Sequence, residues 1–385
     1  MQKFLPLILF VFPTITTAAT FQNDSVYAAS EIGTALAGNG AIADNAATLR
    51  ANPASISHLS GLNISVSDVM QFNKLKYDLN LGSGDAGKFQ NSTNFYITYQ
   101  PANFSDLTVG LGVYSPYELR NSFHTNSNKI IESDVSSLTI SPTVSYKFSP
   151  KISLGISLNY QKLDARWKES SFNSSGKNKK LGFSIGTLLT PSDNMRVGVT
   201  YTNGITHKIK NNVNNVIYSQ QNFNNECRIK TPSSLSISVW QKLLHKWEVM
   251  GNFTWTRYTN FYKNNAYNEK SPNFTLNNIK HNSWRLSWGA IYNYNDNLQL
   301  KYGLAYEHSP LRVDERTMLM PDHHRWWFSV GLKYDSKKYG SVDFGYSYLY
   351  SPRADSRYKK SNFGVLYGDY KTQRHLLGLQ YSLSL

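Results

Sequence analysis

Cysteine is almost missing: Cys227 stands alone among 385 residues, so the chain can form no internal disulfide. Its Asn-rich surroundings place it in a loop, without the base or the cleft that a catalytic thiol needs. Long apolar runs are missing too. The longest, at residues 4–12, is about half the ~20 residues of a spanning helix, which excludes a helical membrane protein. No Pro/Gly/Ser-rich linker breaks the chain after residue 60, so one large domain fits better than two. Acidic residues are few, 25 against 40 basic, for a formal net charge of +15.

What is present first sets the compartment. Lys3, the apolar residues 4–12 and Thr17-Ala18-Ala19 read as the three parts of a secretory signal peptide over residues 1–19. Loss of Lys3 with that peptide leaves a charge of +14, one less than +15. An exported chain without a membrane helix is either a soluble secreted protein or an outer-membrane barrel. The chain has 26 Tyr, 19 Phe and 8 Trp, yet its mean hydropathy is −0.44. Alternating apolar and polar residues with interfacial aromatic girdles give that combination, whereas a soluble core would concentrate Leu, Ile and Val. For an exported barrel the polyanion nearest its basic residues is lipopolysaccharide, and no nucleic-acid partner is expected.

Period-2 alternation predicts fourteen strands. Leu154, Ile156, Leu158 and Tyr160 alternate with Gly155, Ser157 and Asn159, and Val342, Phe344, Tyr346 and Tyr348 with Asp343, Gly345 and Ser347. The connections alternate in kind. Long polar loops are expected at residues 71–92, 115–135, 163–180, 203–231, 257–282, 307–324 and 351–374, with short turns between them. Short periplasmic turns and long extracellular loops fit an all-β, fourteen-stranded antiparallel transmembrane barrel. Closure also leaves no unpaired edge in lipid.

One block breaks the pattern. In residues 31–56 the apolar residues Ile32, Leu36, Ile42, Leu49 and Ile56 suit two or three short helical turns, broken at Gly38-Asn39-Gly40 and Pro53. Helices that short are marginal in water, so they must pack inside something. Gly38-Asn39-Gly40 follows no strand, which argues against a nucleotide loop. The expected organisation is a signal peptide (1–19), an N-terminal helical hatch (20–60) and a barrel (61–385).

The run Gly38-Asn39-Gly40-Ala41-Ile42-Ala43-Asp44, followed by Asn52-Pro53-Ala54, resembles the hatch signature of the FadL-type transporters of long-chain fatty acids and other hydrophobic compounds. Thr20-Phe21-Gln22, Tyr114-Ser115-Pro116-Tyr117, the Ser141-Pro142-Thr143 run, Thr231-Pro232 and Ser309-Pro310 with Arg316, Asp322, Arg325 and Trp327 extend the similarity in order. Leu385 departs from the terminal Phe usual for such barrels, which bears on recognition by the barrel assembly machinery.

The resemblance implies passive uptake across a Gram-negative outer membrane, hatch rearrangement, and sideways exit where the third strand kinks inward. That strand is residues 107–117, with Gly110, Gly112 and Pro116; the glycines mark either a bend or ordinary filling of a crowded lumen. By the same resemblance Phe21 reaches into the ligand pocket and Asn52-Pro53-Ala54 is the hatch turn. Arg166-Trp167-Lys168 lies near the family's pocket, where Arg and Lys suit a carboxylate and Trp an alkyl chain. Asp322 and Arg325 could pair near the lumen mouth and hold the hatch.

No cofactor or metal is expected. His323-His324 lacks the spacing of a zinc site, and the other histidines are scattered, so an enzyme is not expected. The chain is expected to act as a monomer. Two other classes stay open: a surface adhesin or structural barrel that binds polyanions, and a general porin.

Overall fold

The computed structural model describes residues 26–126, 130–169, 172–215, 223–243, 246–258, 262–265, 279–318, 320–361 and 364–385. The strands in chain order are β1 (Leu62–Leu79), β2 (Gly82–Asp85), β3 (Gln90–Tyr99), β4 (Leu107–Tyr114), β5 (Glu118–His124), β6 (Ile130–Ser149), β7 (Ile152–Glu169), β8 (Phe172–Ser192), β9 (Met195–Thr202) and β10 (Thr206–Asn215). They continue as β11 (Phe223–Lys230), β12 (Ser233–Leu243), β13 (Trp247–Arg257), β14 (Tyr262–Asn265), β15 (Ser283–Asn293), β16 (Leu298–His308), β17 (Arg325–Asp335), β18 (Ser341–Tyr350), β19 (Ala354–Ser361) and β20 (Gly364–Ser384). Segments that continue one another merge into fourteen crossings. Neighbours pair antiparallel, and β1 pairs with β20 from Asn63↔Ser384 to Leu79↔Gly368, which closes the barrel.

Alternation sets which side chains of β7 face outward. On β7 Ile152, Leu154, Ile156, Leu158 and Tyr160 face outward and are exposed, while Ser153, Ser157 and Asn159 are buried in the lumen. The same outward face turns charged at Lys162, Asp164, Arg166 and Lys168, so the lipid belt ends near Tyr160. Aromatic girdles mark both rims. Trp247, Tyr292 and Tyr334 lie at the short-turn end, and the tilted rings of Trp284, Tyr306 and Trp326 meet at the other. Tyr292 and Trp284, on one strand, are about 20 Å apart along the axis, close to a membrane's apolar thickness.

The long connections differ from expectation. Much of the polar sequence expected as loop is strand: β1 runs to Leu79, β7 to Glu169, and β2, β5, β10, β11, β14 and β19 lie wholly within those stretches. Cys227, expected in a loop, sits in β11 opposite Ile209 and Asn264. Above the belt no lipid demands an apolar face, so alternation fades from the sequence while backbone pairing continues. Residues 309–318 and 320–324 are the clear exception, a non-strand segment as expected.

Residues 26–59 lie inside the barrel, with α1 (Ala29–Ile32), α2 (Thr48–Ala51) and a 3-10 helix (Pro53–His58). Gly38, at φ 70°, breaks the block where expected. Pro53 opens the 3-10 helix, and Asn52 Oδ1 accepts the Ala54 N–H at 3.0 Å.

Candidate functional site

The inner block is seated by the wall's missing side chains. Ideal Cβ atoms on Gly155, Gly186, Gly198 and Gly303 would strike Pro53, Asn52, Gly40 and Thr34 of the block, all inside van der Waals contact. Small lumenal residues are therefore a fitted seat, and larger ones would expel the block. Leu49 fills the space beside Gly110 and Gly112, at 2.6 and 3.2 Å from where their Cβ atoms would stand. Those glycines pair regularly on both sides and make room for Leu49.

Polar clamps complete the seat. Lys333 Nζ lies 3.2 Å from Asp44. Lys301 Nζ donates to the Ser30 carbonyl at 3.1 Å and pairs with Asp343 at 2.6 Å. Arg285 donates to Tyr27 Oη at 2.9 Å, and Asn52 Nδ2 donates to the Thr187 carbonyl of β8 at 3.1 Å. Burial opposes the charge on Asp44, but Lys333 and then Lys301 outweigh it and hold the carboxyl at about 2. Apolar contacts share the seat: Ile32 and Leu36 cluster with Trp327 and Leu376 of the wall, and Ala37 and Ala41 with Trp240 and Met250.

Above the plug, toward the long connections, the lumen is apolar. Leu75, Leu119, Phe123, Leu163, Trp167 and Tyr370 pack there with Leu311, Met318 and Met320 of the loop between β16 and β17. Arg316 organises that loop: its guanidinium donates to the carbonyls of Asp322 and Asp355, both at 2.7 Å, and of Leu311 at 3.3 Å. Asp322 is fully buried and accepts the Ser309 hydroxyl. Burial raises its carboxyl to about 6 despite the nearby Arg325.

The wall carries a window. The ladder between β3 and β4 stops at Phe95↔Val113, and residues 90–94 of β3 have ladder partners only on β1 among the described residues. Across the gap, the third crossing is interrupted at Ser115 and Pro116. Register fixes the cause. From Tyr114↔Thr139 to Glu118↔Ser136 the third crossing advances 118 − 114 = 4 residues and β6 only 139 − 136 = 3, a one-residue bulge. The insertion swaps the faces, so Val109, Leu111 and Val113 point outward before it, and Glu118 and Arg120 after it. Tyr77, hydrogen-bonded to His124 at 2.8 Å, closes the gap above. Gln71, Asn73, Gln90, Glu118, Arg120 and Arg374 line a small cleft of about 20 Å³ there. Directly behind, Asn94 Nδ2 donates to the Val26 carbonyl at 3.4 Å.

The expected site residues divide. Pro116 is at the bulge, Asn52-Pro53-Ala54 in the plug seat, and Trp167 in the apolar lumen. Arg166 and Lys168 stand exposed on the opposite, outer face of β7, because neighbours on a strand point oppositely. Arg325 forks the carboxylate of Glu307 at 3.0 and 2.7 Å, and its charge also acts on the nearby Asp322 carboxyl. Phe21 lies outside the described residues. His323 and His324 belong to no metal-holding cluster among the described residues. Sequence reasoning passed over Glu307, Arg285 and Arg374, although their lumenal parity marks them: Arg374 shares its face with Thr372 and Leu376, both buried.

Known proteins share this architecture. An outer membrane protein of Neisseria meningitidis is 27% identical to the chain, over 54% of it and 51% of that protein, so the match spans about half of this relative. A long-chain fatty acid transport protein of Escherichia coli is 22% identical over 85% of the chain and 86% of that protein. Among solved structures, a FadL homologue of Pseudomonas aeruginosa superposes with a TM-score of 0.80 at 16% identity, covering 96% of this chain and 100% of that one. The toluene transporter TodX of P. putida gives 0.71 at 13% identity, covering 94% and 99%. The family model described as outer membrane protein transport protein (OMPP1/FadL/TodX) matches residues 9–385. With its closed fourteen-crossing barrel, the chain belongs to this family and is an outer-membrane protein.

Proposed function

We propose that this protein takes up long-chain fatty acids or similar hydrophobic compounds passively across the outer membrane. Cargo enters the apolar lumen lined by Leu119, Phe123, Trp167 and Met318 and leaves sideways through the window between β3 and the third crossing. The observation that carries this reading is the interrupted β3–β4 ladder beside the Ser115–Pro116 bulge. The physical reason is the cost of water: each CH₂ moved from apolar surroundings into water costs about 0.8 kcal/mol, so a wall exit avoids an aqueous path.

Residues 20–60 act as the hatch, and its rearrangement admits cargo past the Met-containing loop, whose unbranched side chains repack readily. Residues 1–19 serve as the export signal. The barrel assembly machinery inserts residues 61–385, and the protein works as a monomer. The basic outer rim, including Arg166 and Lys168, meets lipopolysaccharide. No step makes or breaks a covalent bond, so no catalytic residue or cofactor is required.

Two cargo classes fit the names of the relatives, fatty acids and monoaromatic hydrocarbons. Arg374, which lines the cleft at the window, favours an acid over a neutral hydrocarbon. Uptake of labelled long-chain fatty acid and of labelled toluene is compared in cells with and without the protein. Faster fatty-acid uptake with the protein supports the reading; equal rates for both compounds contradict transport and leave the adhesin class.

A further inference from the structure

The outer wall holds a second feature, away from the lumen. Across β15 to β20 the lipid-facing surface sinks into a groove of about 960 Å³. Trp288, Tyr302, Phe328, Val330 and Tyr346 line it around the small residues Ala290, Gly289 and Gly303. At its β20 edge stand Gln373 and His375, where His375 Nδ1 lies 2.8 Å from Tyr346 Oη. This edge adds polar tips to a surface otherwise built for hydrocarbon.

Directly above that edge lies a concentration of positive charge. Lys371 is the next outward residue above Gln373 on β20, and register sets Lys76 opposite Lys371 and Lys74 opposite Gln373. All three lysines are exposed. Lys88 joins them, since Asn73 Nδ2 donates to its backbone carbonyl at 3.0 Å. Phe72 and Phe89, with ring centroids 5.3 Å apart, cover the surface beneath. Like charges directly opposite across a ladder are destabilising unless an anion lies between them. One acid, Asp85, stands opposite Lys76 across the β1–β2 ladder, its Oδ1 accepting the Leu75 and Gly87 N–H groups at 2.9 and 3.0 Å, so a single carboxylate faces four lysines; Asp369 pairs with Arg353, Asp68 accepts from Thr93 lower on β1, and Asp78 lies farther up, opposite Asp369.

The polarity is that of an outer-leaflet lipid. The short turns and the barrel's closing ends lie at the periplasmic side, so β20 descends from Lys371 to the groove and β1 rises from Phe72 to Lys74 and Lys76. Cations at headgroup height stand over an apolar groove at acyl-chain height. We propose that Lys74, Lys76, Lys88 and Lys371, with the groove below, form a specific site for one phosphorylated, multiply acylated outer-leaflet glycolipid. The phosphates lie between Lys76 and Lys371, and acyl chains fill the groove past Phe328 and Val330. The groove lies across β15 to β20 and the lysines stand on the outer face of β1 and β20 beside the window's cleft, so displacement by a fatty acid is the readout that separates the site from the transport reading.

Native mass spectrometry of the full chain in detergent micelles tests this, with bis-phosphorylated lipid A as probe and lipid A lacking both phosphates for comparison. The expected result is one lipid A retained per barrel, with a preference for the phosphorylated form. Lys76→Gln with Lys371→Gln weakens retention roughly tenfold or more, from about 1 kcal/mol per lysine near an anionic surface. Ala290→Trp, which fills the groove, weakens retention of both forms. The control pair Lys151→Gln with Lys242→Gln, exposed at the short-turn end, leaves it unchanged. Folding of each variant is checked by heat-modifiable gel mobility, and Lys76→Arg with Lys371→Arg restores binding if charge is what matters. Equal retention of both lipids, equal loss in the short-turn control, or displacement of bound lipid A by a long-chain fatty acid would each overturn the site. The last outcome would assign the groove to cargo.

Discussion

Asn52 occupies the space that a side chain at Gly186 would need: its Oδ1 lies inside contact distance of where that Cβ would stand, while its Nδ2 holds the next carbonyl of β8, Thr187. The plug's signature turn and a wall glycine are thus two halves of one fit. Gly186→Val should leave the barrel able to assemble, because the outer face of β8 is untouched, but should unseat the plug at a cost of about 1–3 kcal/mol. Single-channel recording in planar bilayers checks this. The variant should conduct in long open bursts where the parent stays mostly closed.

The Asp44–Lys333 pair gives the plug a dependence on acid. Asp44 is held at about 2, below its ordinary 3.8, so its contribution is complete above about pH 4 and fades as pH falls toward 2. Asp44→Asn removes it at every pH, for a loss of about 1–2 kcal/mol. Hydrogen exchange around Ala46 and Ala47 should then be faster at pH 7 and lose most of its acid dependence.

Asp322 has the opposite sign. Burial raises its carboxyl to about 6, so the folded loop binds a proton more readily than the unfolded chain. Stability of the loop around Leu311, Met318 and Met320 is greatest below about pH 4 and falls as pH rises through 6. Limited proteolysis at pH 5 and pH 8 should cut the parent faster at pH 8, and Asp322→Asn should cut at nearly the same rate at both.

The barrel was largely legible because lipid writes alternation into the chain: on β7 the sequence from Ile152 to Tyr160 states which face is outward. Legibility ended with the lipid. Beyond Tyr160 both faces are polar, so the upper strands, including the one that holds Cys227, read as loop. The plug was visible in Gly38 and Pro53, but its seat was not, because a glycine shows no sign of the distant residue that fills its space. Arg166 and Lys168 misled for a related reason. They flank Trp167 in sequence, and that adjacency puts them on the far side of the wall from it. The bulge at Ser115–Pro116 could be suspected from Pro116, yet a one-residue offset against β6 is visible only in register.

That offset yields the most direct test of lateral passage. Deleting Ser115 removes the extra residue, lets the third crossing keep step with β6, and brings β5 into line to pair with residues 90–94 of β3. Uptake of labelled long-chain fatty acid is measured in cells that lack the protein, carry the parent, or carry the deletion, with surface levels matched by heat-modifiable gel mobility. The account predicts that the deletion folds and inserts like the parent while its uptake falls to the level of cells without the protein. Uptake equal to the parent's from a correctly inserted deletion variant would contradict it.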